Sequence, residues 1–140
     1  MKGRKNTITL FLLVLVLASC GGDSGPSDTD PVKGILKGTW RVQAVSVDNT
    51  DQTMLYNKLT LTFTDANYTT TNGANVWPAS GGWTFTDATA KTILRSDGVI
   101  MVVNVATETE LVLSFHWDNT TIGSGRAKSI EGPHVFTFGE

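Results

Sequence analysis

The sequence predicts a single all-β domain, an antiparallel up-and-down barrel of about eight strands, preceded by an export signal and a tether. Three observations predict it. From Trp40 onward apolar and polar residues alternate with a period of two. Short turns rich in Asp, Asn, Thr and Gly separate these segments, and no long helical periodicity interrupts them. Eight strands joined in sequence favour closure, because an open meander leaves two edges of unpaired backbone groups. A two-sheet β-sandwich is the alternative.

The N-terminus is organised differently. Lys2, Arg4 and Lys5 precede an apolar run from Ile8 to Leu17 and then Ala18-Ser19, so residues 1–19 have the charged, greasy and small-residue order of a signal peptide. The run is too short to span a bilayer, which takes about 20 apolar residues. The only cysteine, Cys20, follows directly. Residues 20–30 form a tether, since "GGDSGPSDTDP" after the cysteine lacks the side chains that build a core. The folded domain is expected over residues 31–140.

That domain opens with "DPVKGILKGTW". Asp30 is expected to cap a helix and Pro31 to occupy its first position, while Gly34 and Gly38 limit it to a turn or two. Trp40, Val42 and Ala44 then alternate with Arg41 and Gln43 as the first strand, and Leu59, Leu61 and Phe63 alternate with lysine and threonine as the second. Further strands are expected over Tyr68 to Thr71, Gly82 to Thr86, Lys91 to Ser96, Val99 to Ala106, Glu110 to Trp117 and His134 to Gly139. Asp97-Gly98 is a two-residue hairpin turn. Parity places Trp40, Phe63, Trp83, Phe85, Phe115, Trp117, Phe136 and Phe138 on inward faces, and that much aromatic bulk predicts a mainly filled interior. An eight-stranded barrel has room for packed side chains or one small ligand, so any cavity is expected to be small or at a mouth.

Loss of the signal's three basic residues takes the 11 Lys and Arg to 8 against 13 Asp and Glu, a net charge of about −5. An acidic domain without a basic cluster is a poor nucleic-acid binder. His116 and His134 have no companion at a metal-ligand spacing, so neither a metal nor another cofactor is expected. Gly123-Ser124-Gly125 lacks the strand-to-helix elbow of a hydrolase nucleophile. Asp65, Asp87, Asp97 and Asp118 fall in turns, where backbone hydrogen bonding accounts for them. A catalytic constellation is therefore not expected.

Two connections can carry binding. Residues 69–82 hold Trp77, whose ring either stacks on a sugar or partner surface or caps the barrel mouth as a lid. Residues 118–133 are longer than a hairpin needs, and hold Arg126 and Lys128. Trp117, His116 and Arg126 complete the set of candidate binding residues with Trp77.

Leu17-Ala18-Ser19-Cys20 resembles the lipobox of bacterial lipoproteins. The resemblance implies that the Cys20 thiol is acylated, with palmitate among its chains, and becomes the first mature residue; an unmodified cysteine is the alternative. Gly21 at the next position implies delivery to the outer membrane. The acidic residues Asp23, Asp28 and Asp30 are similar to surface-export tethers, or form a plain solvated linker, which leaves the periplasmic face and the cell surface both open.

The segments Gly38-Thr39-Trp40, Leu61-Thr62-Phe63, Gly81 to Phe85 and Leu111 to Phe115 occur in the order found in short lipocalin-like lipoproteins of Bacteroidetes-type bacteria. This resemblance covers residues 34–140 and implies that Trp40 closes the barrel floor beneath the preceding turn. Arg126 stacked on a ring such as Trp40 would complete the lipocalin arrangement. The long C-terminal helix of true lipocalins is missing here. The leading expectation is a monomeric, non-enzymatic lipoprotein that is anchored to the membrane through Cys20 and binds a small apolar molecule. A glycan- or protein-binding module using the loops 69–82 and 118–133 is the alternative, and an enzyme ranks third.

Overall fold

The computed structural model describes residues 28–118 and 131–140. Helix α1 (Thr29–Leu36) is two turns long and passes straight through Gly34. Asp30 is not its cap. Asp28 holds that position without a side-chain hydrogen bond, and Asp30 lies within the first turn, where its charge faces the positive end of the helix. The helix stops at Lys37, whose extended backbone leads into Gly38 at φ +140°, a conformation that favours glycine.

Nine strands follow: β1 (Gly38–Val47), β2 (Thr50–Asp51), β3 (Thr60–Phe63), β4 (Asn67–Thr71), β5 (Ser80–Phe85), β6 (Thr92–Arg95), β7 (Ile100–Ala106), β8 (Glu110–Trp117) and β9 (Gly132–Gly139). Each from β3 to β9 pairs antiparallel with the next, β1 pairs with β3, and β9 returns to β1 from Arg41↔Gly139 to Val47↔His134. That last ladder closes an eight-stranded up-and-down barrel and replaces the sandwich alternative. β2 lies outside the ring, paired only with Ser46 and Val47 of β1.

One parity expectation fails. A β-bulge between Val42 and Ala44 shifts the pairing of β1 with β9, so beyond it Val45 and Val47 turn inward and Ala44 faces out. A single inserted residue inverts every later side chain of a strand. The expected inward rings are otherwise buried, except Phe85, which is half-buried. On the outer wall the hydroxyls of Thr39 and Thr62 (2.9 Å), and of Thr60 and Thr71 (2.6 Å), pair across strands, a use of threonine that suits a half-solvated sheet.

Alternating strand direction gives the barrel two unlike ends. Connections 64–66, 86–91 and 107–109 leave on the side of α1, called the helix end. Connections 48–59, 72–79 and 96–99 leave on the other side, the loop end, where β8 also ends and β9 begins.

Candidate functional site

The loop end is built around Trp77. The connection 72–79 folds back into the barrel: the Trp77 amide donates to the Gly73 carbonyl (3.1 Å), the Thr70 hydroxyl to the Pro78 carbonyl (2.8 Å), and the Asn72 side-chain amide to the Lys58 carbonyl (3.0 Å). Tight turning puts Asn72 and Ala74 in the left-handed region, at φ 55° and 52°. A Cβ on Gly73 would lie 2.4 Å from the Trp77 Cβ and 2.6 Å from its carbonyl oxygen, so only glycine fits there. Trp77 itself is 1% exposed. Of the two alternatives for this ring, the exposed stacking face is overturned, and the ring is packed into the core at the barrel's loop end.

Inside, Trp77 meets Tyr68, Phe115, Phe136 and Phe138 edge-to-face, with centroids 6.1, 5.5, 5.6 and 6.3 Å away. The Arg95 guanidinium lies 4.9 Å from the Trp77 ring centroid, the distance of a cation–π contact. Arg95 is buried. Its Nε donates to Asp97 Oδ1 (3.1 Å), one terminal nitrogen donates to Asp97 Oδ2, and the other donates to the Val76 carbonyl (3.1 Å). One arginine therefore joins the β6–β7 turn to the connection that carries Trp77. Asp97 does more than shape its turn, which is all the sequence reading assigned to it.

Four buried polar atoms at or near this end have no hydrogen-bond partner among the described residues: Tyr68 Oη, Trp77 Nε1, Trp117 Nε1 and His134 Nε2. His134 stacks on Phe115 and Phe136, and its Nδ1 lies 2.9 Å from the Gly132 carbonyl. A carbonyl only accepts, so Nδ1 carries the proton and Nε2 presents a lone pair. Burial lowers the His134 pKa, helped by His116 and opposed by the Gly132 hydrogen bond. The neutral ring is thus the resident form. Burial likewise raises the Tyr68 pKa, with the Arg95 charge acting against it.

At the helix end the two buried indoles are paired. Trp40 Nε1 donates to the Leu36 carbonyl at the end of α1 (2.9 Å), and Trp83 Nε1 donates to the carbonyls of Thr64 (3.1 Å) and Asn67 (3.2 Å). A cleft of about 380 Å³ lies between α1 and β5, lined by Lys33, Asp65, Trp83, Phe85 and Asp87 among others. Lys33 Nζ sits 5.9 Å over the Trp83 ring, Lys37 holds Asp65 at 2.5 Å, and Asp87 accepts from the amide and hydroxyl of Thr89. These groups are already engaged with one another.

No family model, curated protein or solved structure matches the chain.

The candidate residues are thus distributed unevenly. Trp77 and Trp117 belong to the loop-end interior. His116 points outward and pairs with Asp118 (2.8 Å), so it cannot line the same space. Cys20, Arg126 and Lys128 lie outside the described residues. Among the described residues the arginine that meets a tryptophan is Arg95, on Trp77; the expected contact of Arg126 with Trp40 falls outside them. Among the described residues no cluster of three metal-ligating side chains occurs, and no helix is long and apolar enough to cross a membrane. Arg95 and Tyr68 are not among the candidates read from the sequence, and His134 enters there only as a histidine without a companion at metal-ligand spacing. Parity contained them: Arg95 shares a face with Ile93, Tyr68 with Thr70, and His134 with Phe136 and Phe138.

Proposed function

We propose that this chain is a non-enzymatic binding lipoprotein, acylated at Cys20 and held at the outer membrane, whose barrel takes up one small, mostly apolar molecule through its loop end. The observation that carries the reading is the set of unpaired polar atoms on Tyr68, Trp77, Trp117 and His134. A buried donor or acceptor left without a partner costs about 1–3 kcal/mol. Such atoms collect where a ligand will supply the missing partner, and both indoles of the helix end are already satisfied from within the chain. The signal-like residues 1–19, Cys20 and the tether support the anchoring, as does the ordered set of lipocalin-like motifs.

Thermal shifts of the mature chain against fatty acids, sterol-like and haem-like molecules, planar heteroaromatics and glycans test the binding. A ligand at 100 times its Kd stabilises the fold by about 2.7 kcal/mol, and a domain of this size then melts several degrees higher. Silence across the panel rejects the reading. Anchoring is tested separately: an alkyne-tagged palmitate is incorporated by the wild type and not by Cys20→Ser, and equal labelling of both rejects it.

A second reading has its own observation. Met54 and Leu55, on the 3-10 turn between β2 and β3, are 79% and 57% exposed at the rim of the loop end. Exposed apolar side chains beside long connections suit contact with a protein partner. Met54→Lys together with Leu55→Lys abolishes capture of such a partner if this reading holds, and leaves small-molecule binding intact.

A further inference from the structure

We infer that Trp77 is a built-in occupant of the ligand slot, and that the molecule this end takes up is a small planar heteroaromatic compound that displaces it. The inference rests on the reading that the loop end binds a ligand, and it adds the ligand's chemical class.

The shape of the slot carries the first half. Four rings stand edge-to-face with Trp77 at interplanar angles between 78° and 90°, and a guanidinium covers one of its faces. The positive rim of an aromatic edge and the positive charge of an arginine both seek the negative face of a flat π system. A saturated chain uses neither. A flat ring entering this slot meets the same four rings and the same guanidinium that the Trp77 ring gives up.

The polar inventory carries the second half. Trp77 fills the slot without satisfying it, since its own Nε1–H and the Tyr68 hydroxyl stay unpaired. His134, stacked on Phe115 and Phe136, keeps an unpaired Nε2, and the adjoining strand carries the unpaired Trp117 Nε1–H. The interior thus offers donors and an acceptor together. A heterocycle carrying both kinds of ring atom answers them, whereas a pure hydrocarbon answers none.

The attachment of the plug makes exchange feasible. Trp77 is carried by a connection between strands rather than by a strand of the ring. That connection holds Ala74 at φ 52°, a left-handed conformation that is strained for a residue other than glycine, and withdrawal releases it. Nothing in the eight-stranded ladder has to break.

The indole N–H signals of the ¹⁵N-labelled mature chain test this, with each tryptophan assigned by its Trp→Phe variant. Indole is the planar probe and decanoic acid the saturated comparison. In the wild type, saturating indole is expected to move the Trp77 Nε1–H signal and to speed its exchange with D₂O ~10-fold or more, while the Trp40 and Trp83 signals stay in place. Decanoic acid is expected to do neither. Trp77→Ala, with its slot already vacant, is expected to bind indole ~10-fold or more tightly than the wild type, because an occupied site lowers apparent affinity by its vacant fraction. If Trp77→Ala does not fold, the wild-type spectra decide alone.

Three results overturn the inference. Indole that binds without disturbing the Trp77 signal does so, as does indole that binds only Trp77→Ala, since Trp77 is then permanent core. Decanoic acid binding while indole does not also removes the planar class, yet leaves the loop-end binding reading standing. Failure of the whole ligand panel on the wild type removes both.

Discussion

The two ends of this barrel bury the same kind of side chain and treat it differently. At the helix end, Trp40 and Trp83 each give their N–H to a backbone carbonyl within the chain. Trp77 and Trp117, equally buried, give theirs to no acceptor among the described residues. The contrast follows from what each end has to work with. The terminus of α1 and the turn 64–67 bring backbone carbonyls to the indoles, and backbone carbonyls at a helix C-terminus need such donors. Around Trp77 the described residues supply side chains, an arginine among rings, and rings are poor acceptors. One end is completed by the fold, and the other has polar capacity to spare.

The largest effect that separates the ends is expected at the arginine that holds the plug. Asp97→Ala leaves the Arg95 guanidinium buried and without its carboxylate, and breaking such a pair costs about 3 kcal/mol even after discounting the partial exposure of Asp97. Urea unfolding is expected to show this loss, and fluorescence the loosening of Trp77. Removing Asp65 from its exposed pair with Lys37 at the helix end is expected to change stability by less than about 1 kcal/mol. Equal costs at the two sites would mean that Arg95 is solvated and not a clamp.

Next in size is Gly73→Ala. Its Cβ meets backbone as well as the Trp77 Cβ, so the connection must shift, at about 2 kcal/mol for an overpacked site. Gly34→Ala, with open space around it and a helical backbone, is expected to stabilise by roughly 0.5–1 kcal/mol. Chemical denaturation of the two variants gives opposite signs if the packing at Gly73 is as tight as described.

The indoles themselves give the most direct comparison. Trp40→Phe removes a made hydrogen bond and strands the Leu36 carbonyl, a loss of about 1 kcal/mol or more beyond the change in ring size. Trp117→Phe removes a donor that had no partner, so the relief offsets the lost contact area and the change is expected to lie near zero. Matched losses in the two variants would show that Trp117 finds a partner in solution and that the two ends are alike.

Much of the ring was legible in the sequence, and little of the site. The alternation in "KLTLTFT" and in "LVLSFHW" reports which side of a sheet each residue takes, because burying one face demands it. The two ends of a strand carry no such signal. Trp77 looked like a loop residue because its neighbours are Asn, Gly, Ala and Pro, and nothing local records that the loop turns back into the barrel. Arg95 was passed over because arginine in a strand is ordinarily outward, although its parity with Ile93 placed it inside. The bulge at Gln43 left no mark either, and it cost the placement of Ala44. Local periodicity encodes faces, whereas a plug is a long-range event, held by partners some 20 residues away such as Arg95 and Val76.

The smallest expected effect concerns His134 and pH. Above about pH 6.5 the imidazole is neutral in both the folded and the unfolded chain and contributes no slope. Below that value the unfolded chain takes up a proton which the buried ring, with its lowered pKa, refuses. The unfolded state then binds more protons, and stability falls with falling pH until the folded ring also titrates. His134→Phe keeps a ring between Phe115 and Phe136 and removes the titration. Melting temperatures measured from about pH 7.5 to about pH 5.5 are therefore expected to drop more steeply for the wild type than for the variant, since carboxylate effects are common to both. Parallel curves would mean that Nε2 reaches water, and the loop end would then hold one unpaired polar atom fewer than its contrast with the helix end requires.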